Sequence, residues 1–259
     1  MHYQTLKVDE STHSLRLTLH RPEQRNSINA QLITDIGKAM DEAERNSSCR
    51  FIILQGENGI FCTGMDFQEL TTNKDDNGLT NVTFLREYMA LLKRFTTTSK
   101  IIVSLLDGQV LAGGVGIVAA SDLVLSTADT TFGLSEVLWG LLPACVTPFL
   151  IRRIGFQKAY QMTLTAQTMI AHEAHRVGLI DELTENLNDS MRRIAVRVCR
   201  IQEDTVANLK GYFRKMWIIT DEMETTAIAE LNRLVNQPQV QTRIENFVKH
   251  QQLPWETTT

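Results

Sequence analysis

The residues with the clearest potential for chemistry lie in three short segments, and the first is FCTGMDF at positions 61–67. Its glycine, Gly64, stands at a sharp turn after a predicted strand. A glycine there lets the backbone approach a ligand closely and leaves a peptide N–H pointing outward. The structural alternative is a tight turn in which Asp66 caps the next helix, as turn residues often do.

The second segment, LAGGVGI at positions 111–117, also follows a predicted strand and opens a helix. Peptide N–H groups at a helix N-terminus lack intrahelical partners and suit an anionic ligand or transition state. The glycine order differs from the G-x-G-x-x-G of dinucleotide sites, and the helix is too short before Asp122. Two strand-to-helix turns, each offering one N–H, could instead form a two-donor oxyanion hole.

The third segment, FGLSEV at positions 132–137, contains a carboxyl group in apolar surroundings. Glu136 is preceded by Leu134 and followed by Val137, Leu138 and Trp139. A carboxyl group in a dry environment has a raised pKa and can serve as a general base or acid near neutral pH. A glutamate that caps a helix or forms a salt bridge is the equally weighted alternative.

Apolar patterns predict the elements that must position these segments. Strands are predicted at residues 15–19, 51–54, 101–106 and 122–126. A helix is predicted from Ile28 to Glu44, with Asn26 and Ser27 as possible caps. Helical patterns dominate after about residue 148. We therefore expect an α/β core with the active site at residues 1–195 and a helical C-terminal region at residues 196–259.

Composition excludes several classes of protein. The chain has 259 residues, 43% hydrophobic and 22% charged, as expected of a globular protein with a large core. The net charge of −4 argues against a nucleic-acid partner, and no apolar run approaches the roughly 20 residues of a membrane span. Four widely spaced cysteines and no visible signal peptide predict a cytoplasmic protein with free thiols. No cofactor or metal motif is present.

Together, these segments resemble the crotonase (enoyl-CoA hydratase/isomerase) superfamily. The motifs occur in that family's order, over about residues 3–200: RNSIN at 25–29, FCTGMDF at 61–67, LAGGVGIVAASDLVLS at 111–126, FGLSEVLWGLLPA at 132–144 and AHEAHRVGLID at 171–181. The resemblance implies a spiral core of ββα units and a helical C-terminal trimerisation region. It also implies a homotrimer or a dimer of trimers.

The resemblance also assigns roles to individual residues. The oxyanion hole would use the N–H groups of Met65 and Gly113, with Gly64, Asp66 and Gly114 close to the substrate. Glu136 aligns with the second catalytic glutamate of the hydratases. The first catalytic glutamate falls at Gly116 and is therefore absent, which makes simple two-acid hydration of an enoyl-CoA less favoured.

A closer similarity is to the enoyl hydratase homologues of polyketide β-branching. It rests on GMDFQE at 64–69, LSEVLWGLLPACVTPFLIRRIG at 134–155 and LPWE at 253–256. In those pathways one crotonase dehydrates 3-hydroxy-3-methylglutaryl-ACP to 3-methylglutaconyl-ACP, and a second decarboxylates the product. Since the acid of the LSE segment is kept, the similarity implies the dehydratase, with an acyl carrier protein as partner.

The sequence leaves open which residues bind the substrate and which reaction the protein catalyses. Lys74, Arg86 and Tyr88 are candidate partners of the distal carboxylate of the substrate. Lys74 also lies in a loop that could hold the lysine of a Lys/His pair, so the decarboxylase remains an alternative. An isomerase or hydratase acting on free CoA thioesters is another alternative, and a non-enzymatic crotonase-fold binding protein is the least favoured.

We predict that Glu136→Gln abolishes dehydration and leaves the fold intact, because the amide cannot take up a proton from the substrate. Turnover of the thioester substrate and the circular dichroism spectrum of the variant would check this prediction. Near-normal turnover would remove Glu136 from the mechanism.

Overall fold

The computed structural model describes residues 3–72, 83–217 and 220–256. Two sheets are present in these residues, one of six strands and one of four. The strands, numbered in chain order, are β1 Leu6–Glu10, β2 Ser14–Leu19, β3 Phe51–Gln55, β4 Ile60–Cys62, β5 Ile101–Leu106, β6 Gln109–Leu111, β7 Leu123–Ser126, β8 Thr131–Gly133, β9 Met169–Ile170 and β10 Glu182–Leu183. The helices are α1 Ala30–Arg45, α2 Phe67–Thr72, α3 Thr83–Phe95, α4 Gly113–Ala120, α5 Glu136–Trp139, α6 Thr147–Ile154, α7 Phe156–Thr165, α8 Ala171–Arg176, α9 Leu187–Val198, α10 Glu203–Lys215, α11 Asp221–Val235 and α12 Pro238–His250.

The large sheet has the strand order β1-β2-β3-β5-β7-β10 and the small sheet the order β4-β6-β8-β9. Each of β3, β5 and β7 in the large sheet is followed by one strand of the small sheet and then by a helix. This succession of ββα units is the predicted crotonase spiral. It brings the three chemical segments together, because each of them follows a strand of the small sheet.

The central strands are mostly apolar because both faces of the large sheet are covered. All six residues of β5 are buried, as is typical of parallel strands between two layers of helices. One face packs against the main core, which includes α1 and α3. The other face packs against α9 and α10 through residues such as Met191 and Val206.

Helix α1 begins two residues later than predicted. Its N-cap is Asn29, whose side chain accepts a hydrogen bond from the N–H of Leu32. Asn26 instead bonds to the backbone of Arg21 and Ile60, so the predicted capping by Asn26 was wrong. The loop before α1 is thereby fixed against β4 and the first chemical segment.

The C-terminal helices are attached to the core by polar contacts as well as apolar packing. Lys210 of α10 forms an ion pair with Asp122, with 2.6 Å between Nζ and Oδ2. The same ammonium group donates hydrogen bonds to the carbonyl groups of Phe95 and Lys100. A buried ion pair is stable only when further hydrogen bonds satisfy its remaining donors, and these two carbonyls do so. The predicted boundary at residue 195 falls inside α9.

Candidate active site

A cavity of about 620 Å³ lies where the three chemical segments meet. Met65 comes from the first segment, Gly113 from the second and Glu136 from the third, and all three line the cavity. Tyr88 and Cys145 contribute to the wall between them. The topology therefore brings together residues that are up to 71 positions apart in the sequence.

The first two segments touch each other at their bends. Gly64 has a φ of +95°, in the region that favours glycine. A Cβ atom at this position would lie 2.6 Å from the Cβ of Ala112 and 3.4 Å from the nitrogen of Gly113. Only a residue without a side chain permits this approach, which places the backbone of Met65 next to that of Gly113.

The bend at Met65 is held by a short parallel bridge to Ile28. The N–H of Ile28 donates to the carbonyl of Gly64 at 2.7 Å, and the N–H of Asp66 donates to the carbonyl of Ile28 at 2.9 Å. Between them, the N–H of Met65 donates to no backbone carbonyl group within the described part of the chain. This amide is therefore available to a group in the cavity.

Asp66 fixes the start of α2 and also pairs with Arg21. Its Oδ1 accepts from the N–H of Gln68 at 3.0 Å, which is the helix-capping contact considered in the sequence. Its Oδ2 lies 2.8 Å from a guanidinium nitrogen of Arg21, and both side chains are largely buried. The carboxylate thus already has structural partners, although it lines the cavity.

The second bend depends on an unusual backbone conformation at Ala112. Its φ is 48° and its ψ is −120°, a combination that alanine rarely adopts. Hydrogen bonds hold it there, from its N–H to the carbonyl of Gly133 and from the N–H of Val115 to its own carbonyl. The bend directs the chain into α4, whose first N–H groups have no intrahelical acceptor. Gly114 packs on Cys62, where a Cβ would meet the Cys62 carbonyl oxygen at 2.8 Å.

Glu136 is the first residue of α5, and its carboxyl group is shielded from solvent. Its Oε2 is buried and has no hydrogen-bond partner among the residues that the structure describes. Burial raises the pKa of Glu136 from 4.5 to about 7, because desolvation disfavours the charged form. A salt-bridged glutamate would have a cationic partner here, whereas within the described residues this carboxyl group has only a hydrogen bond from its own backbone N–H, which lowers the pKa less than burial raises it. Glu136 is therefore poised to exchange a proton near neutral pH.

The three predicted partners of a distal carboxylate lie in different places. Tyr88 is buried on α3, and its hydroxyl group donates a hydrogen bond to the carbonyl of Gly113. Arg86 is exposed on the same helix and is not part of the cavity wall. Lys74 lies outside the described residues. Of the two candidates that the structure describes, Tyr88 lines the cavity and Arg86 does not, and the hydroxyl group of Tyr88 is already engaged.

The C-terminal region contributes a wall of the cavity that the sequence analysis missed. Phe247 of α12 makes edge-to-face contacts with Phe67, at 5.9 Å between ring centroids, and with Trp139, at 5.1 Å. Leu231 and Val235 of α11 also line the cavity. The amphipathic pattern of α12 indicates that one face is buried, but it does not show which surface covers that face. This wall helps to keep the surroundings of Glu136 dry.

The match to known proteins agrees with this architecture. The family model described as enoyl-CoA hydratase/isomerase matches residues 10–258. The bacillaene synthase dehydratase PksH of Bacillus subtilis is 34% identical over 254 residues, which cover 98% of this chain and 97% of that protein. The mevalonyl-coenzyme A hydratase sidH of Aspergillus fumigatus is 30% identical over 75% of this chain and 72% of its own length.

Among solved structures, the polyketide biosynthesis enoyl-CoA hydratase (pksH) of Bacillus subtilis superposes with a TM-score of 0.89 at 32% identity, covering 98% of this chain and all of that one. The chain therefore belongs to the enoyl-CoA hydratase/isomerase family. Within that family it is a hydro-lyase, and it is similar to the polyketide dehydratase PksH.

None of the helices in residues 3–72, 83–217 and 220–256 is both long and apolar enough to cross a membrane. In the same ranges no three side chains of histidine, cysteine, aspartate or glutamate are grouped as they would be around a metal ion.

The raised pKa of Glu136 predicts a pH dependence of stability that requires no substrate. Below about pH 4.5 the carboxyl group is protonated in both the folded and the unfolded state, so burial carries no charge penalty. As the pH rises to about 7 the unfolded state loses the proton first, and the folded protein is destabilised by about 3 kcal/mol. Thermal unfolding of wild type and Glu136→Gln across this range should show a growing advantage of the variant, which levels off above pH 7. A difference that is constant with pH would contradict the burial of the carboxyl group.

Proposed function

We propose that this protein dehydrates 3-hydroxy-3-methylglutaryl-ACP to 3-methylglutaconyl-ACP in polyketide β-branching. The observation that carries the proposal is the carboxyl group of Glu136, whose buried Oε2 lacks a hydrogen-bond partner among the described residues, in one cavity with two touching backbone bends. The similarity to the bacillaene synthase dehydratase supports the choice of pathway.

The reaction begins with the thioester carbonyl oxygen between the N–H groups of Met65 and Gly113. Glu136, as carboxylate, removes a proton from C2, and the electron pair of that bond moves to the thioester oxygen as an enolate. The two N–H donors stabilise this charge. In other enzymes the loss of one such donor costs roughly 10²–10³ in rate.

The second step expels the hydroxyl group from C3. The enolate re-forms the carbonyl, the C2–C3 double bond appears, and the C3–O bond breaks. Glu136 returns its proton to the departing hydroxyl, so that water leaves and the carboxylate is regenerated. One acid suffices for both steps if C2–H and C3–OH lie on the same face, and acid–base catalysis of this kind contributes about 10²–10⁴.

The mouth of the cavity is the proposed entrance of the phosphopantetheine arm. Arg25, Gln109 and Thr63 line the cavity, and the Arg25 guanidinium donates to the Gln109 side chain at 2.6 Å. An acyl carrier protein is acidic and would dock on basic residues near this entrance. Lys74 remains a proposed partner of the distal carboxylate, whereas Arg86, which is exposed and outside the cavity wall, is no longer proposed for that role. Gly64, Asp66 and Gly114 remain proposed to lie close to the substrate. We place the reaction in the cytoplasm, which is supported by four free cysteine thiols.

The protein is proposed to act as a homotrimer or a dimer of trimers. Three large side chains one turn apart on α7 are exposed, Phe156 by 66%, Tyr160 by 53% and Leu164 by 62%. A second groove, of about 1500 Å³, begins beside Phe156 and Tyr160 and continues along α10 and α11. Contiguous exposed apolar surface of this kind is typical of an interface between proteins.

The proposed reaction is tested by incubating the enzyme with 3-hydroxy-3-methylglutaryl thioesters of ACP and of CoA. Mass spectrometry of the acyl group should show the loss of one water, faster on ACP than on CoA. Glu136→Gln is the matched control, since it differs from wild type only at the proposed acid. A further loss of CO₂ would support the decarboxylase instead, and an unchanged acyl group on both carriers would contradict the proposal.

The proposed assembly is tested by the substitution Leu164→Glu, which places a charge on the exposed apolar stripe of α7. Sedimentation velocity should show a trimer or hexamer for wild type and smaller species for the variant, because a charge cannot be buried there without a partner. Gln161→Glu, at an exposed position of the same helix, should leave the assembly unchanged. A monomeric wild type would rule the assembly out.

A further inference from the structure

Tyr88 stands at the point where the cavity, the second bend and Gly116 meet. Its side chain is fully buried, and its hydroxyl group donates a hydrogen bond to the carbonyl of Gly113. The same hydroxyl oxygen lies only 2.3 Å from the position that a Cβ atom on residue 116 would occupy. The phenol therefore contacts the first turn of α4 at two places.

The first contact helps to hold a strained turn. Ala112 keeps a positive φ immediately before Gly113, and such conformations cost about 1–3 kcal/mol and persist only when the surrounding structure fixes them. The carbonyl group of Gly113 directly follows that of Ala112 along the chain, and it accepts the hydrogen bond from Tyr88. Because φ at Gly113 also sets the direction of the adjacent N–H, anchoring this residue fixes the donor that faces the cavity.

The second contact excludes a side chain from residue 116. Gly113 and Gly116 are three positions apart in a helix, so a side chain at 116 would project from the same face as Gly113, toward the cavity. The Tyr88 hydroxyl and the methyl group of Val146, 3.0 Å from the same Cβ position, fill that space. Tyr88 is held by its hydrogen bond and by full burial, so displacing it to make room for a side chain at residue 116 would destabilise the folded protein.

We infer that Tyr88 is a positioning residue for the Gly113 N–H, and that its hydroxyl group occupies the place of a side chain at residue 116, leaving Glu136 as the acid of the site. This inference rests on the proposed oxyanion hole and adds to it a residue that does not touch the reacting atoms. It assigns the phenol to the helix turn rather than to the distal carboxylate of the substrate.

The activity test compares Tyr88→Phe with Tyr3→Phe. Tyr88→Phe keeps the ring and removes the hydroxyl, so we expect kcat to fall about 10- to 100-fold with KM changed less than about threefold, since misplaced catalytic groups reduce the chemical step. Tyr3→Phe removes a hydroxyl that donates to Glu42 at 2.7 Å, remote from the cavity wall, and should leave kcat unchanged. An unchanged kcat in Tyr88→Phe would overturn the positioning role.

A second measurement separates this inference from the proposed substrate. Exchange of the α-protons of a simple acyl-CoA in D₂O, followed by NMR, reports enolate formation by the oxyanion hole and Glu136 with any acyl group. The exchange rate should fall in Tyr88→Phe and remain at the wild-type value in Tyr3→Phe. A wild type that exchanges these protons but does not dehydrate the branched substrate would contradict the proposed function alone.

The occupancy of the space at residue 116 is tested by unfolding, without substrate. Gly116→Ala should lower the melting temperature of wild type by several degrees, because the new methyl group overlaps the Tyr88 hydroxyl. In the Tyr88→Phe background the same substitution should lower the melting temperature by about half as much or less. Such non-additivity is expected of residues in contact. Equal decreases in melting temperature in both backgrounds would contradict the inference that the Tyr88 hydroxyl fills the side-chain space at residue 116.

Discussion

The close contact between the bends at Gly64 and Ala112 is the constraint on which the rest of the site depends. There is no room for a Cβ atom on Gly64, whose φ is positive, and the nitrogen of Gly113 lies just beyond. A larger residue at 64 would separate the two bends and move the amides of Met65 and Gly113 apart. Hydrogen-bond donors that are fixed before the substrate arrives need no reorganisation during the reaction. The bridge to Ile28 and the strained turn at Ala112 are the means by which the fold fixes them.

The environment of Glu136, the proposed acid of the site, depends on the same packing. Glu136 lies at the first turn of α5, in a cavity that is also lined by the two bends, by α3 and by the C-terminal helices. The aromatic contacts of Phe247 with Phe67 and Trp139 join three separate parts of the chain. They reduce the access of water to the carboxyl group, and desolvation is the main cause of its raised pKa. The C-terminal region therefore affects the chemistry as well as the stability of the core.

The sequence predicted four of the six strands of the large sheet, β2, β3, β5 and β7, because buried strands leave apolar or alternating runs, whereas β1 and β10 at the edges of that sheet were missed. β3, β5 and β7 all overlap their predicted ranges. The cap of α1 was misplaced, since Asn26, Ser27 and Asn29 are all suitable cap residues, and the tertiary contacts of Asn26 with Arg21 and Ile60 decided between them. The wall formed by Leu231, Val235 and Phe247 was missed because an amphipathic pattern shows that a face is buried but not against what.

The sequence by itself determined the fold class, the family and the carboxyl group in an apolar segment, since these follow from residue types and from their order along the chain. Only the tertiary structure decided that the two glycine bends touch, that Oε2 of Glu136 lacks a partner among the described residues, and that the hydroxyl of Tyr88 lies against Gly113 and Gly116. The physical reason is that the contacts of Gly64 and of Tyr88 join residues at least 20 positions apart, and that the surroundings of Oε2 of Glu136 are set by distant parts of the chain. Local patterns encode which face of an element is buried, whereas the distance between two bends is set by the packing of all the elements between them.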